Sequence, residues 1–456
     1  MITLALFSPL LAGALLLVPM GANSRRRAVL LGYGVALGAL VGANGSEGLW
    51  RIDGPGRFLA LVTVVIGGYV ALFGCRQWGP PLRDRAALGC GGLIVTSVLS
   101  SDLAARLDTL VASFVLTSVA TLLLLVLSAR STGRSRGRTA IGLLLGDLIL
   151  VASVLVSART DALLGPRVHP LAGGVVLFIG ASLAALGRAG AGSSRSWVLD
   201  TVNHPTAVSA LLHAGVVNGG AILLVRLSPL TGVSRIEWDL LAAACVAQLV
   251  WWAPVIRRRA DLKGQLAAST VSQMTFMMLA LALGWPLLAL THLAGHALYK
   301  STRFMNAAGS IRRRSRTPHP VVSAHSPGLF DLALGVLLVG AALLSAHVGG
   351  SDAAALQGVL LPAALALVWS VRRRSSRAGA LVALVSSAVV IGYGALVGEL
   401  QRSLTPGLDP GLPSTPWWTL GALTLAVVAL SRRNSPRVRS VDETVPTHVL
   451  ESVGAR

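Results

Sequence analysis

Long apolar runs, each of roughly 17–25 residues, recur from one end of this 456-residue chain to the other. A helix of that length crosses the ~30 Å hydrocarbon layer of a bilayer. Only helices and closed barrels satisfy their backbone polar groups inside lipid, and these runs are too long and too uniformly apolar for barrel strands. Charged residues make up 12% of the chain, against about 25% in soluble proteins. The sequence therefore predicts an all-α polytopic membrane protein.

The runs predict about 14–15 transmembrane helices. The first run lacks the basic start and the cleavage site of a signal peptide, so we interpret it as a span. The segment 188–204 is rich in small residues and only mildly polar, which predicts a broken or re-entrant helix of the kind that transporters place at binding sites. The predicted spans are 2–20, 28–44, 57–75, 86–104, 107–128, 139–157, 171–188, 205–226, 239–256, 265–283, 286–309, 330–348, 353–371, 378–398 and 416–431.

The net charge of +21 lies mainly in short loops between the apolar runs. No aromatic stacking module accompanies it, so we expect no nucleic-acid partner. Cationic loops stay in the cytoplasm, and the Arg and Lys residues concentrate at the ends of the odd-numbered spans. This alternation predicts a bacterial cytoplasmic membrane protein with its N-terminus outside and its C-terminus in the cytoplasm. The polar tail 432–456 is predicted to be disordered.

Three titratable residues form a stripe in the sequence THLAGHALYKSTRF. His292, His296 and Lys300 follow one another at intervals of four residues, so they share one face of a helix. Titratable groups in a membrane helix usually face an internal hydrated path, along which they can pass a proton. The alternative is that both histidines are packing residues and that the lysine extends its amine to the interface. A zinc site is less well supported, because a third ligand and an HExxH glutamate are missing.

Lysine is rare in this chain: only Lys263 and Lys300 occur among the 39 basic residues. Arg keeps its proton, whereas a buried Lys can release it, so both lysines are candidates for proton transfer. His213 lies in the middle of a predicted span among small residues, where it is either a member of the path or a core histidine. Asp147 is a carboxylate in an apolar run and needs a partner, for which Arg188 is a candidate.

The three cysteines, Cys75, Cys90 and Cys245, are scattered without CxxC spacing. They support no disulfide framework, zinc site or iron–sulfur cluster. No Gly-rich dinucleotide fingerprint follows a strand. We therefore expect no cofactor and no catalytic site in this chain.

Three ordered segments resemble the antiporter-like subunits of respiratory complex I (subunit L) and of Mrp-type cation/proton antiporters. They are HPTAVSALLHAGVVNGGAILLVRLSPL, DLKGQLAASTVSQMTFMMLALALG and THLAGHALYKSTRFMNAAGS. Within that superfamily, the motifs HAGVVNGG and HALYKS are most similar to those of DabB-type membrane subunits of inorganic-carbon accumulation complexes. The resemblance implies an antiporter-like fold with N-terminal helices 1–106, an ion-translocation core 107–310 and C-terminal helices 311–431.

The resemblance also implies roles for particular residues. The family has an ion-path histidine at the position of His213, a His–His–Lys stripe at His292, His296 and Lys300, and a span-opening lysine at Lys263. Two positions depart from the superfamily pattern. Arg188 stands where a lysine is usual on the broken seventh helix, and the fifth-helix glutamate has no counterpart in SFVLTSVATLLLL. These departures favour a reduced, single-path conductor.

The function implied by the resemblance is an H⁺- or Na⁺-conducting membrane subunit that couples ion flow to CO2 hydration or bicarbonate accumulation. Its partner would be a large peripheral zinc carbonic-anhydrase-like subunit (DabA-type) on the cytoplasmic side, and its remaining surface would face membrane lipid. Two alternatives stay open. One is a proton-translocating subunit of a respiratory or Mrp-type antiporter complex; the other is a non-conducting membrane anchor for a catalytic partner.

Overall fold

A computed structural model describes residues 1–77, 81–128, 133–157, 162–164, 169–257 and 261–314, together with scattered positions between 387 and 404. Within these residues the all-α prediction is confirmed, because thirteen α-helices account for nearly all of the regular structure. The last four predicted spans lie wholly or mostly outside the described residues, and so does the tail. These spans are 330–348, 353–371, 378–398 and 416–431, and the tail is 432–456.

In the described part, each predicted span contains one helix or, for 205–226, two. The first predicted span, 2–20, is too long, because α1 ends at Leu15 ahead of Pro19, and a residue before proline avoids the helical conformation. The bounds are α1 Ile2–Leu15, α2 Ala22–Gly42, α3 Gly54–Gln77, α4 Leu82–Asp102, α5 Leu107–Ser128, α6 Gly133–Val156, α7 Gly174–Arg188, α8 Arg195–Asp200, α9 Thr206–Ala214, α10 Gly219–Thr231, α11 Arg235–Arg257, α12 Leu262–Ala282 and α13 Pro286–Arg314.

Five helical stretches of the described part are long and apolar enough, by length and composition, to cross a membrane. They are Gly54–Gln77, Leu107–Ser128, Gly137–Val156, Thr206–Thr231 and Arg235–Ile256. The stretch Thr206–Thr231 is also the most deeply buried of the five. It therefore packs at the centre of the bundle, with α13 and α3 beside α9, and α7 and α12 beside α10.

A two-stranded hairpin that the sequence did not predict closes one end of the bundle. Its strands, β1 Ser46–Glu47 and β2 Trp50–Arg51, pair antiparallel around Gly48, whose φ of 60° suits glycine. The Arg51 N–H donates to the carbonyl of Leu103 at 2.8 Å. The hairpin thereby fixes the chain where α4 ends.

The seventh helix is broken, as predicted for 188–204. Helix α7 stops at Arg188, and two glycines with positive φ, Gly190 (79°) and Gly192 (54°), turn the chain before α8. A 3-10 turn, Thr201–Asn203, follows α8. Trp197 is fully buried, and its indole N–H donates to the Gly187 carbonyl at 3.1 Å. The break is therefore an ordered, packed element.

A second break interrupts the predicted continuous span 205–226, so the continuity predicted there was wrong. The 3-10 turn Val216–Asn218 separates α9 from α10. A Cβ at Gly215 would lie 2.8 Å from the Leu211 carbonyl oxygen, so only glycine fits this turn. The side-chain amide of Asn218 donates to the Ala214 carbonyl at 2.7 Å and satisfies one backbone group that the break frees.

Candidate ion-translocation site

The predicted stripe lies on α13, and its inner part is enclosed by the bundle. Lys300 is fully buried, His296 is 4% exposed, and His292 is partly exposed. The exposed face of the same turns is formed by Leu298 and Tyr299. The stripe therefore points into the protein, and the apolar residues point away from it.

Lys300 is held by α12. Its amine donates to the Leu266 carbonyl at 2.6 Å and to the Ser269 hydroxyl. A buried ammonium without an acidic partner is costly in a membrane, and two neutral acceptors compensate only part of its lost hydration. This amine is therefore suited to releasing and regaining a proton.

Helix α12 runs antiparallel to α13 along the stripe. Ser269 bonds with Lys300 at one end, and Phe276 packs its ring 5.2 Å from the ring of His292 at the other. Ser272 lies between these two α12 residues, one turn from each, so the register places it opposite His296. The Ser272 hydroxyl and both His296 ring nitrogens are buried without a hydrogen-bond partner among the described residues.

Buried polar atoms in native proteins nearly always have partners, and ordered water fills that role in polar cavities. The gap between Ser272 and His296 thus has the chemistry of a hydrated step in a path. Neither serine was identified from the sequence. A helical wheel of DLKGQLAASTVSQM would show both on one face, but not that this face meets α13.

His213 lies on α9 and is fully buried against α13. Its ring stacks on Phe304 at 4.6 Å between centroids, with the planes 8° apart. Its Nε2 lies 2.7 Å from the Thr201 hydroxyl, which itself donates to the Val198 carbonyl at 2.6 Å. Because that hydroxyl has one hydrogen, we infer that Nε2 donates and that Nδ1 is left as a free acceptor. Nδ1 is buried without a hydrogen-bond partner among the described residues.

The structure brings four of the predicted residues into one cluster. His296 interacts electrostatically with Lys300, His292 and His213. His213 in turn interacts with Lys300 and Lys263. The described residues of this cluster include no carboxylate, so its protonatable groups are all nitrogen bases.

Lys263 begins α12 and faces the broken helix. Its amine donates to the carbonyls of His204 at 2.8 Å and Val202 at 3.2 Å. These carbonyls lie at the end of the 3-10 turn that follows α8, where backbone acceptors lack helical partners. Lys263 therefore caps the broken segment in addition to any role at the entrance of an ion path.

Asp147 and Arg188 form a buried ion pair, the pairing that the sequence suggested. An Arg188 Nη2 atom lies 3.0 Å from Asp147 Oδ1, and the two side chains are 4% or less exposed. The guanidinium also donates to the Phe114 carbonyl at 3.1 Å and stacks 3.9 Å from the Phe114 ring. Gly146 allows the pairing, because a Cβ there would lie 3.1 Å from the backbone of Ala184 on α7.

The pair is separate from the histidine cluster but shares the broken helix with it. Arg188 ends α7, and Thr201, which bonds with His213, lies in the 3-10 turn at the far end of the same broken segment. The fifth helix, which lacks the family's glutamate, presents hydroxyls instead: Thr117 donates to Ser97 at 2.9 Å.

One buried acid was missed by the sequence analysis. Asp102 ends α4 and is fully buried, although its place at the end of the predicted span 86–104 gave no sign of burial. Burial of this kind depends on how α3 and α10 close over the helix end, which spacing along one helix does not reveal.

Comparisons with known proteins agree with this architecture. Residues 104–321 match the family model described as NADH:quinone oxidoreductase/Mrp antiporter, TM. In solved structures, the chain is similar to a component of the Mrp complex from Dietzia sp. DQ12-45-1b, with a TM-score of 0.65, 21% identity, and 99% of this chain and 58% of that chain covered. It is also similar to a component of respiratory complex I from Thermus thermophilus, with a TM-score of 0.58, 21% identity and coverage of 94% and 95%.

The curated relatives are more specific. A "Probable inorganic carbon transporter subunit DabB" of Hydrogenovibrio crunogenus is 34% identical over 217 residues, 46% of this chain and 40% of that protein. The DabB protein of Bacillus anthracis is 39% identical over 117 residues, covering 26% of this chain and 23% of that protein. A probable K⁺/H⁺ antiporter component of Rhizobium meliloti is 34% identical over 178 residues, covering 37% and 18%. These matches span less than half the length of the relatives.

These findings define the class of protein. The chain is an integral, multi-pass membrane protein of a bacterial membrane, with the fold of Mrp and complex I membrane subunits. The resemblance predicted from its motifs to DabB-type, Mrp-like membrane subunits is confirmed.

Proposed function

We propose that this chain is the proton-conducting membrane subunit of an energy-coupled inorganic-carbon accumulation complex. The observation that carries the proposal is the environment of Lys300. Its side chain is fully buried, and among the described residues its amine bonds with two neutral acceptors of α12. It ends a stripe in which His292 Nε2 and both ring nitrogens of His296 are buried without a hydrogen-bond partner in the same part of the chain. Burying ionisable groups inside a membrane protein costs free energy, and residues buried in this way usually belong to an ion or proton path.

The chemistry of the cluster favours H⁺ over Na⁺. Sodium, like other hard cations, is bound by oxygen ligands, whereas His292, His296, His213 and Lys300 offer nitrogen. A protonated lysine also repels a metal cation, but a neutral lysine and a neutral imidazole each accept a proton. The same four residues can therefore accept and donate protons in sequence without binding sodium.

The proposed route runs along the stripe. Protons pass between Lys300, His296 and His292 through the polar gap that Ser272 faces, and His213 exchanges with Lys300 from the α9 side. Lys263 stands near the predicted cytoplasmic mouth of the route. Asp147 and Arg188 hold a fixed charge pair whose separation would modulate the protonation of the lysine, because Arg188 cannot itself relay a proton.

The carbon chemistry would belong to a partner. The DabB relatives are named as subunits of inorganic carbon transporters, and a DabA-type partner follows from that naming. We propose that this partner is a large zinc carbonic-anhydrase-like protein on the cytoplasmic side. Proton flow down its gradient would make hydration of CO2, or accumulation of bicarbonate, effectively one-way.

The proposal is tested with Lys300→Ala in cells that depend on this complex for growth in air. Uptake of labelled inorganic carbon should fall at least ~10-fold, because positioned proton-transfer groups contribute about 10²–10⁴ in rate. The matched control is Arg303→Ala, which removes a cation from the exposed side of the same helix. Co-purification of the partner shows that the complex still assembles. Normal uptake by an assembled Lys300→Ala complex would remove Lys300 from the mechanism.

A second candidate is a component of an Mrp-type or respiratory complex, and the antiporter relative in Rhizobium meliloti favours it. Purification in mild detergent separates the two candidates. A large zinc-binding soluble partner supports the carbon complex, whereas several small membrane subunits, or chains with flavin or iron–sulfur clusters, support the alternative. Dissipating the proton gradient identifies a passive anchor, since the partner of an anchor would keep working.

A further inference from the structure

The fully buried carboxylate at the end of α4, Asp102, takes no part in the route proposed above. Its Oδ2 accepts a hydrogen bond from the Thr63 hydroxyl of α3 at 2.8 Å. Its Oδ1 is buried without a hydrogen-bond partner among the described residues. A carboxylate left half-satisfied in such a place is costly unless it can take up a proton or reach water.

Opposing influences act on Asp102. It is the last residue of α4, where the unpaired carbonyls of a helix end favour the neutral acid over the anion. The guanidinium of Arg226 on α10 acts on it electrostatically and favours the anion. Arg226 is itself paired with Asp53 at 2.6 Å and donates to the Ala104 carbonyl. Because the positive charge of Arg226 is shared with Asp53 and Ala104, Arg226 does not fix Asp102 in one protonation state.

The helices around Asp102 are packed closely. A Cβ at Gly56 would lie 2.8 Å from the Asp102 carbonyl oxygen and 2.7 Å from an Asp53 carboxylate oxygen. Among the described residues, the charged groups that face this corner are Arg226 from α10 and Asp53, which precedes α3. Arg51 lies 3.8 Å from Asp53. The Asp53 side chain is 14% exposed, so the corner lies just below the surface at the hairpin end.

A small cavity lies beside Thr63, the residue that bonds with Asp102. Its volume is about 20 Å³, which is room for about one water molecule. Its polar lining comes from Thr63 and Asn218, and the Asn218 carboxamide oxygen is buried without a hydrogen-bond partner among the described residues. Leu293 and Ala214 also line it. They are the chain neighbours of His292 and His213, so the cavity adjoins the two helices that carry these histidines.

We infer that Asp102, which connects through Thr63 to the cavity beside Asn218, is the proton-uptake group at the hairpin end of the path. This inference rests on the proposed function. Asp102 would take up a proton from solution beside Asp53 and give it to the Thr63 hydroxyl oxygen. That hydroxyl would give its own proton to water in the cavity, so the number of protons on Thr63 does not change. The water would then pass a proton to the histidine cluster.

The test uses the purified complex with its co-purifying partners, reconstituted into vesicles that contain a pH-sensitive dye. Four variants are compared with the wild type: Asp102→Asn, Asp102→Glu, Thr63→Val and Lys300→Ala. The matched control is Asp108→Asn, which removes an exposed carboxylate at the same end of the bundle. We expect Asp102→Asn to lower proton flux at least ~10-fold and Thr63→Val several-fold. Asp102→Glu should retain most of the flux, and Asp108→Asn all of it.

The outcomes separate this inference from the proposed function. If Lys300→Ala abolishes flux while Asp102→Asn conducts normally, the uptake role of Asp102 is refuted and the proposed function stands. If the wild type moves Na⁺ and no protons, the uptake role of Asp102 and the proton-conducting function both fail. If the wild type moves neither ion, both proposals fail.

A purely structural role for Asp102 makes a different prediction. A structural defect would lower the denaturation temperature and the yield of the complex in proportion to the loss of flux, and glutamate would not rescue it. Should Asp102→Asn fail to assemble, Thr63→Val decides the matter, because valine keeps the shape of the side chain and removes only the hydroxyl. Normal flux in an assembled Thr63→Val complex would refute the path.

Discussion

Removing one member of the buried Asp147–Arg188 pair should be among the most destabilising changes in the described part of this protein. In Asp147→Leu the guanidinium loses an acceptor 3.0 Å away, while its side chain stays about 1% exposed. Its remaining contacts are the Phe114 carbonyl at 3.1 Å and the Phe114 ring at 3.9 Å. Neither contact neutralises a full positive charge, so the cation is left uncompensated.

The expected magnitude follows from that geometry. Leaving one charge of a buried pair uncompensated costs about 3–5 kcal/mol, from which the ring contact to Phe114 recovers roughly 0.5–2 kcal/mol. We therefore expect Asp147→Leu to lower the free energy of unfolding by about 1–4.5 kcal/mol. The double variant Asp147→Leu/Arg188→Leu removes both charges and should lie within about 1–2 kcal/mol of the wild type, because apolar replacement of a buried pair is often nearly neutral.

The assay is equilibrium unfolding in mixed lipid–detergent micelles, analysed as a double-mutant cycle. The control cycle uses the exposed pair Arg235–Asp239, at 2.7 Å and with side chains 43% and 53% exposed. Exposed pairs contribute about 0.2–1 kcal/mol, so the two cycles should differ clearly. Equal coupling energies in the two cycles, or an Asp147→Leu variant within ~0.5 kcal/mol of the wild type, would refute the view that this pair is desolvated and energetically strong.

Two further predictions concern the broken helix and the face of α12. Gly190→Ala should lower the free energy of unfolding by about 1–3 kcal/mol, because φ at this position is 79° and a Cβ would lie 2.5 Å from the Val198 side chain. The same unfolding assay measures this loss. Stability equal to that of the wild type would show that the break is not held as described. Ser269→Ala removes a bond to Lys300 and should shift the pH dependence of proton flux without abolishing it. An unchanged pH profile would separate this serine from the path.

Much of the architecture was accessible from the sequence, because hydropathy in lipid is a strong constraint. The spans in the described part, the break near 188–204 and the stripe of His292, His296 and Lys300 all depend on spacing along one helix. That information is local. The pairing of Asp147 with Arg188 was suggested by neither spacing nor periodicity alone, but by the need of a buried carboxylate for a cation.

What the sequence could not predict depends on which faces meet. Ser272 opposite His296 requires the register of α12 against α13, and Asp102 becomes a buried acid only when α3 and α10 close over the end of α4. Lys263 was recognised as unusual, but its bonds to the broken segment follow from the position of that break in space. The second break, after Ala214, was missed because a single glycine in an apolar run is common in membrane helices.

The central claim is that the protonatable stripe is hydrated inside an otherwise apolar bundle. A high-resolution cryo-electron microscopy map of the complex in lipid nanodiscs tests it most directly. Ordered water density should bridge Ser272 to the ring of His296 and fill the cavity beside Thr63 and Asn218. Close apolar packing around His296 without water, or a stripe that faces lipid, would contradict the account.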